Sequence, residues 1–126
     1  NENNFKMNQS SENPILKLTF AFAIEAVKYS EVLETNKKYV KAILKAATSI
    51  GACVREAQNA ESKLDFVHKM KIAAKEADET EYWLDICKHS GHYPECQELL
   101  DKINEIKKVL NKIIGTTKKS VIGFQK

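Results

Sequence analysis

Four side chains able to ligate a metal fall within ten positions, Cys87, His89, His92 and Cys96, spaced C-x-H-x-x-H-x-x-x-C. Thiolate and imidazole are the donors of tetrahedral zinc sites. The spacing is not that of a standard finger, however, and Cys87 also continues an apolar helical seam, where a free thiol behaves as a small hydrophobe. The four are weak candidates for a structural zinc, and the sequence is read as needing no metal and no cofactor. Glu56, Glu76, Glu79 and Glu81 invite comparison with carboxylate-bridged di-iron bundles, which combine Glu with Glu-x-x-His on facing helices. No Glu-x-x-His occurs in the chain, so the carboxylates are expected to pair with cations instead, with Arg55, Glu56 and Lys69 as a buried polar group. Cys53 and His68 have the types of a nucleophile and its base, but their neighbours repeat at heptad spacing and argue for packing. Nucleophile elbow, P-loop, dinucleotide-binding glycines and HExxH are all absent from the sequence. No catalytic residue is identified, and the chain is read as not an enzyme.

A second chemistry is the recognition of phosphate. Lys37, Lys41 and Lys45 form an i, i+4, i+8 row, joined by Lys38. Such a row is ordinarily a solvated helix face; its alternative is a strip that contacts nucleic-acid phosphates, each neutralised phosphate steepening the salt dependence of binding. The aromatic interleaving used to stack single-stranded bases is missing.

These side chains are carried by helices. Phe66, Met70, Ala73, Ala77, Thr80, Leu84 and Cys87 follow one another at alternating steps of four and three, the spacing that holds one seam toward a partner. Val40, Ile43, Ala47, Ile50, Val54 and Ala57 do the same one helix earlier, and Leu99, Ile103, Ile106, Leu110 and Ile113 one helix later. Ser62 with Asp65 reads as a helix start, and Ser90-Gly91 as the matching stop. Pro14 behind Asn13 opens a first helix running to about Glu34, with Phe20, Ala23, Ile24, Val27 and Glu31 on its inward face and Phe22, Tyr29, Val32 and Leu33 widening it. Pro94 is expected near the first position of the last helix, which should fray at Gly115. The connections are short, so the expected fold is all-α: an antiparallel up-down-up-down four-helix bundle over residues 14–119, with a disordered tail at 1–13 and a flexible one at 120–126.

Composition agrees with this class. The 126 residues contain two prolines and four glycines, and the formal net charge is only +3. That charge is uneven, +4 over residues 36–60 and +3 over 92–126 against −2 in each of the other two segments. A basic face toward an acidic partner fits, while the whole chain lacks the strong positive charge of a dedicated nucleic-acid binder. Three cysteines cannot all pair within one chain, and no stretch approaches a membrane span, so a cytoplasmic protein with reduced thiols is expected.

On a helical wheel the third helix carries a second apolar strip, Ile72, Trp83 and Ile86, beside which Glu76 and Glu79 fall. Together with the main seam this arc is wider than a peripheral helix of one bundle needs. Ile72, Glu76, Glu79, Trp83 and Ile86 are therefore expected at a subunit interface, with Trp as its anchor.

Three segments resemble a known family. ATSIGACVREAQ (Ala47 to Gln58), SKLDFVHKMKIA (Ser62 to Ala73) and KEADETEYWL (Lys75 to Leu84) are similar to motifs of the 23S rRNA intervening-sequence proteins, with Ser49, Ile50, Glu56, Ser62, Phe66, Ile72, Ala73, Glu79, Glu81 and Leu84 in register. The resemblance implies a small cytoplasmic, bacterial four-helix bundle that assembles as a homopentamer. The related accessory variability proteins of diversity-generating retroelements imply a link to nucleic acid and to a reverse transcriptase. Two departures bear on that link: the family's Gly-rich turn with its Arg is Glu56-Ala57-Gln58-Asn59-Ala60 in this chain, and Lys69 stands where the family has Arg. Taken together, the sequence predicts a self-associating scaffold whose partners are further copies of itself and RNA or a nucleic-acid-handling protein. The alternative is a purely structural interaction module.

Overall fold

The computed structural model describes residues 13–33, 40–91 and 93–125. Four helices follow one another, α1 (Pro14–Val32), α2 (Val40–Ala57), α3 (Lys63–His89) and α4 (Gln97–Gln125). The short connection expected after Glu34 and the tail expected at the start of the chain lie outside the described residues, Asn13 excepted. Each helix packs against its sequence neighbour and α4 closes back onto α1, while the backbones of the diagonal pairs stay farther apart among the described residues. Contacts at the helix ends fix the directions. Asn13 donates to Gln58 Oε1 at 3.3 Å, the Tyr29 hydroxyl to the Pro94 carbonyl at 2.8 Å, and Lys63 Nζ to Ser120 Oγ at 2.7 Å. Consecutive helices are therefore antiparallel. No helix among the described residues is long and apolar enough to cross a membrane.

The termini of α3 follow directly from the sequence. Ser62 Oγ accepts from the Asp65 N–H at 3.0 Å and Asp65 Oδ2 accepts from the Glu61 N–H at 3.1 Å, so a reciprocal cap is made with Asp in the place usually held by Glu or Gln. The Glu61 N–H, with Lys69 beside it, holds the Asp65 carboxyl below its ordinary pKa. At the other end Gly91 takes a φ of +76°, the left-handed turn that Gly adopts without a Cβ clash.

The core is the expected one on three helices. Ile43, Ala47, Ile50, Val54 and Ala57 of α2, Met70, Ala73, Ala77, Thr80, Leu84 and Cys87 of α3, and Leu99, Ile103, Ile106 and Leu110 of α4 are all buried. Two shifts occur at helix ends: Val67 is buried where Phe66 is only half-buried, and Ile114 is buried where Ile113 is half-buried. Among the described residues no buried side-chain polar atom lacks a hydrogen bond.

Helix α1 departs from expectation. Its buried face is Ile15, Thr19, Phe22, Ala26, Tyr29, Ser30 and Leu33, whereas Phe20, Ile24 and Val27, assigned inward from their spacing, are exposed. The cause is two hydroxyls in the true core face. Thr19 Oγ1 donates to the Ile15 carbonyl and Ser30 Oγ to the Ala26 carbonyl, each at 2.8 Å, so both polar groups are satisfied within the helix and can be buried cheaply.

Helix α4 differs at both ends. Pro94 does not open it: the Pro94 carbonyl accepts from Tyr29, and Glu95 Oε1 takes the Gln97 N–H at 2.7 Å, so the helix starts at Gln97. Nor does it fray at Gly115, but continues to Gln125 through the segment expected to be a flexible tail. An isolated Gly costs a helix only about 1 kcal/mol relative to Ala, too little by itself to end one anchored just before it by Leu110 and Ile114.

Candidate functional site

The turn between α3 and α4 puts two of its candidate ligands together in the core and a third at the surface. Cys87 and Cys96 are both buried in the core, and the Cys96 thiol donates to the Leu84 carbonyl at 3.4 Å. His89 is exposed and its Nδ1 lies 3.0 Å from the carbonyl of Asp85, one turn back on its own helix. His92 lies outside the described residues, among which no three His, Cys, Asp or Glu side chains converge as a metal site would require. The buried thiols instead surround the Tyr29 hydroxyl. Burial first, and then the two neighbouring thiols, push the Tyr29 pKa far above its ordinary range. Burial raises Cys87 and Cys96 in the same way. A group of three acids held neutral is a packing unit.

The expected buried pairing of Arg55, Glu56 and Lys69 does not form. Lys69 pairs at 3.0 Å with Asp65, its i−4 neighbour on the same helix. Arg55 and Glu56 are exposed, and the Arg55 guanidinium sits 6.0 Å from the centre of the Phe20 ring. An i, i+4 pair within α3 needs no second helix to align it, which is why it prevails over a pairing between helices. Cys53 is half-buried, and burial, then Glu56 and Glu76, raise its thiol pKa. That is the reverse of the shift that makes a thiol nucleophilic.

Three surfaces remain. In the second strip of α3, Ile72 is 38% exposed, Glu76, Trp83 and Ile86 are half-buried, and Glu79 is exposed. Trp83 Nε1 reaches Glu79 Oε1 at 3.5 Å, and its ring meets Tyr82, itself 61% exposed, edge-on at 5.5 Å. The lysine row of α2 is exposed at Lys41 and Lys45; Lys37 and Lys38 lie outside the described residues. The third surface is one that sequence reasoning missed. Phe20, Ile24 and Val27 are 57%, 42% and 39% exposed and follow one another at i, i+4, i+7 along α1. Beside them a groove of about 420 Å³ runs between α1 and α2, floored by Thr19, Ala23, Gly51 and Ala52. The signal for it was present: Lys17, Glu25, Lys28 and Glu31 share one side of the α1 wheel, and the core face lies opposite them.

Charge is sorted along the α3–α4 hairpin. Residues 78–105 hold eight carboxylates against two lysines, whereas 62–77 with 106–120 hold nine lysines against two carboxylates. Antiparallel packing gathers the second set at one end. Near the boundary Lys107 bridges Asp78 at 2.9 Å and Glu81 at 3.1 Å, and these contacts, Asp78 foremost, raise its pKa.

Both the fold and the motif register can be set against known proteins. The sequence model of the 23S rRNA-intervening sequence protein family matches residues 11–112, which span α1 to α3 and the first half of α4. The chain belongs to that family. Among solved structures it is similar to a protein of unknown function from the S23 ribosomal protein family of Bacteroides thetaiotaomicron VPI-5482. The two share 36% sequence identity over 79% of this chain and 97% of the other, with a TM-score of 0.75. No functionally curated protein matches. Ile50 and Leu84 are core and Ser62 caps α3, so these positions maintain the bundle.

Proposed function

We propose that the protein is a non-catalytic scaffold that self-associates, as a homopentamer, and in that form engages RNA or a nucleic-acid-handling protein in the cytoplasm. The observation that carries the reading is the apolar surface a single copy leaves uncovered. Phe20, Ile24 and Val27 on α1, beside a groove floored by small residues, form a stripe of the kind that marks protein contacts. Ile72, Glu76, Glu79, Trp83 and Ile86 of α3, exposed or half-buried, give a second contact surface anchored by an aromatic pair. Two different surfaces on one subunit suit a heterologous contact that closes into a ring. The subunit number rests on the family resemblance.

A non-catalytic role fits the chemistry of the thiols, all three of which are shifted away from the reactive thiolate. The second reading is a protein–protein module with no nucleic-acid role, favoured by the fact that the exposed α1 stripe is apolar and asks only for another protein.

Sedimentation velocity from micromolar to tens of micromolar, followed by titration with a labelled RNA hairpin, tests both. A single species several times the 14.3 kDa monomer that binds RNA more weakly as salt rises is the expected result. A compact monomer throughout defeats the assembly, and an oligomer silent to RNA at low salt leaves the interaction module.

A further inference from the structure

Two opposite charges stand on the exposed surfaces, each held at an aromatic ring. The Arg55 guanidinium lies 6.0 Å from the centre of the Phe20 ring, and both side chains line the groove between α1 and α2. The Glu79 carboxylate lies 3.5 Å from Trp83 Nε1, in the second strip of α3. Neither charge belongs to any of the ion pairs formed among the described residues. Glu56 also lines the groove, but about 100° farther round α2 than Arg55.

The two surfaces are opposite in shape as well. The groove has a volume of about 420 Å³ and a floor of small residues, Thr19, Ala23, Gly51 and Ala52, beside the wall formed by Phe20. The strip carries protruding side chains, where the Trp83 ring meets the 61% exposed Tyr82 edge-on at 5.5 Å. Their lengths agree to within about one helical turn, about 16 Å from Leu16 to Val27 along α1 and about 21 Å from Ile72 to Ile86 along α3. One copy does not fill its own groove from its own strip, because the lining comes from α1, α2 and Asn59, and α3 is the diagonal neighbour of α1. Groove set against groove would match hollow to hollow. Strip set against strip would bring Glu76 and Glu79 onto the same carboxylates of the other copy. Groove set against strip seats a large aromatic side chain over small residues and carries Glu79 to Arg55.

We propose that the groove between α1 and α2 receives the α3 strip of a second copy of this chain, with Trp83 seated beside Phe20 and Glu79 paired to Arg55 across the contact. This rests on the self-association proposed above and specifies which surface meets which. The rings of Phe20 and Trp83 exclude water from the pair, and the fork of the guanidinium onto a carboxylate fixes the register of the two helices as well as strengthening the contact.

The test is a charge swap in the full chain, read by sedimentation velocity and by the emission of its single tryptophan. Arg55→Glu and Glu79→Lys are compared with wild type alone and combined in one chain, at about 0.1 M salt, where charges farther apart than about 10 Å are largely screened from each other. Each single variant should raise the concentration at which half the protein is assembled by about tenfold or more, and the combined variant should return it to within about threefold of wild type. Ala52→Trp, which fills the groove from an exposed position, should weaken assembly to a similar extent. Trp83 emission should move to shorter wavelength as wild type assembles and should keep its monomer position in the single variants at the same concentration. Arg55 and Glu79 are both exposed, so the thermal midpoint of each variant, diluted to monomer, should match that of diluted wild type. That match separates loss of contact from loss of fold.

A wild type that stays monomeric at every concentration overturns this inference together with the self-association beneath it. Assembly that tolerates both single charge reversals and Ala52→Trp overturns the inference alone and leaves self-association through other surfaces. Weakening by Arg55→Glu but not by Glu79→Lys assigns the groove to another segment or another partner. A combined variant no stronger than the single ones shows that the two charges do not face each other. Either of these last two results also overturns the pairing.

Discussion

Glycine shows at single-residue resolution how position decides the sign of a substitution. Gly91 closes α3 at φ +76°, so Gly91→Ala forces a Cβ into the left-handed region and should destabilise the fold by about 1 kcal/mol or more. Gly115 lies inside α4, and a Cβ built there meets nothing within 4 Å. Gly115→Ala should therefore stabilise by up to about 1 kcal/mol, through helix propensity and the loss of unfolded-state freedom. Urea denaturation of both variants checks the pair: shifts of equal sign would show that one of the two backbone environments is misassigned. A second residue-scale consequence concerns pH. Tyr29, Cys87 and Cys96 all have folded-state pKa values above their ordinary ones, burial being the leading cause. The native protein therefore keeps protons that the unfolded chain releases, and stability falls as pH rises. The fall begins near the ordinary thiol value of 9.0 and steepens as the tyrosine of the unfolded chain titrates. Each group contributes at most about 1.4 kcal/mol per pH unit. Under reducing conditions Cys87→Ala/Cys96→Ala should be less stable at neutral pH yet flatter between pH 8 and about 10. An equally steep loss in that variant would show that the thiols take no part.

At the scale of elements, what could be read from the sequence depended on whether polar side chains sat where burial requires apolar ones. Helices α2, α3 and α4 keep a four-three spacing of Ile, Leu, Val, Met and Ala in which the one hydroxyl, Thr80, falls on the apolar register, and their faces were legible almost to the residue. The Ser62/Asp65 cap and the Gly91 stop were legible too, because the chemistry of each is local. Helix α1 was misread because Thr19 and Ser30 interrupt its core face while Phe20, Ile24 and Val27 outside it are more apolar. Only the common side of Lys17, Glu25, Lys28 and Glu31 marks the true orientation. The start of α4 was illegible for a different reason. Pro94 is a good first helical residue in isolation, and what removes it from the helix is a hydroxyl donated by Tyr29, 65 positions away. Among candidate sites, the Lys69 pairing was assigned across helices when a partner stood four residues away on its own.

For the whole molecule, the proposed self-association places different demands on its two exposed surfaces according to its symmetry. The α1 stripe and the α3 strip lie on opposite flanks of α2: Phe20 and Ala23 border the groove with Gly51 and Ala52, while Glu76 approaches Cys53. In a ring built from heterologous contacts, one surface of each subunit meets the other surface of its neighbour, and blocking either surface stops closure. In a two-fold contact each surface meets its own kind, and blocking one leaves the other free to pair. Phe20→Asp/Ile24→Asp places charge on the α1 stripe without touching the core, since both side chains are exposed. Ile72→Asp does the same on the α3 strip, at a residue 38% exposed, and spares the half-buried Trp83. If the assembly is a ring, both variants should sediment as folded monomers at tens of micromolar, and mixing them should restore at most dimers, because one good surface from each can meet only once. Dimers in either variant alone would identify a two-fold contact instead, and an unaltered wild-type assembly in both would show that neither surface is the interface.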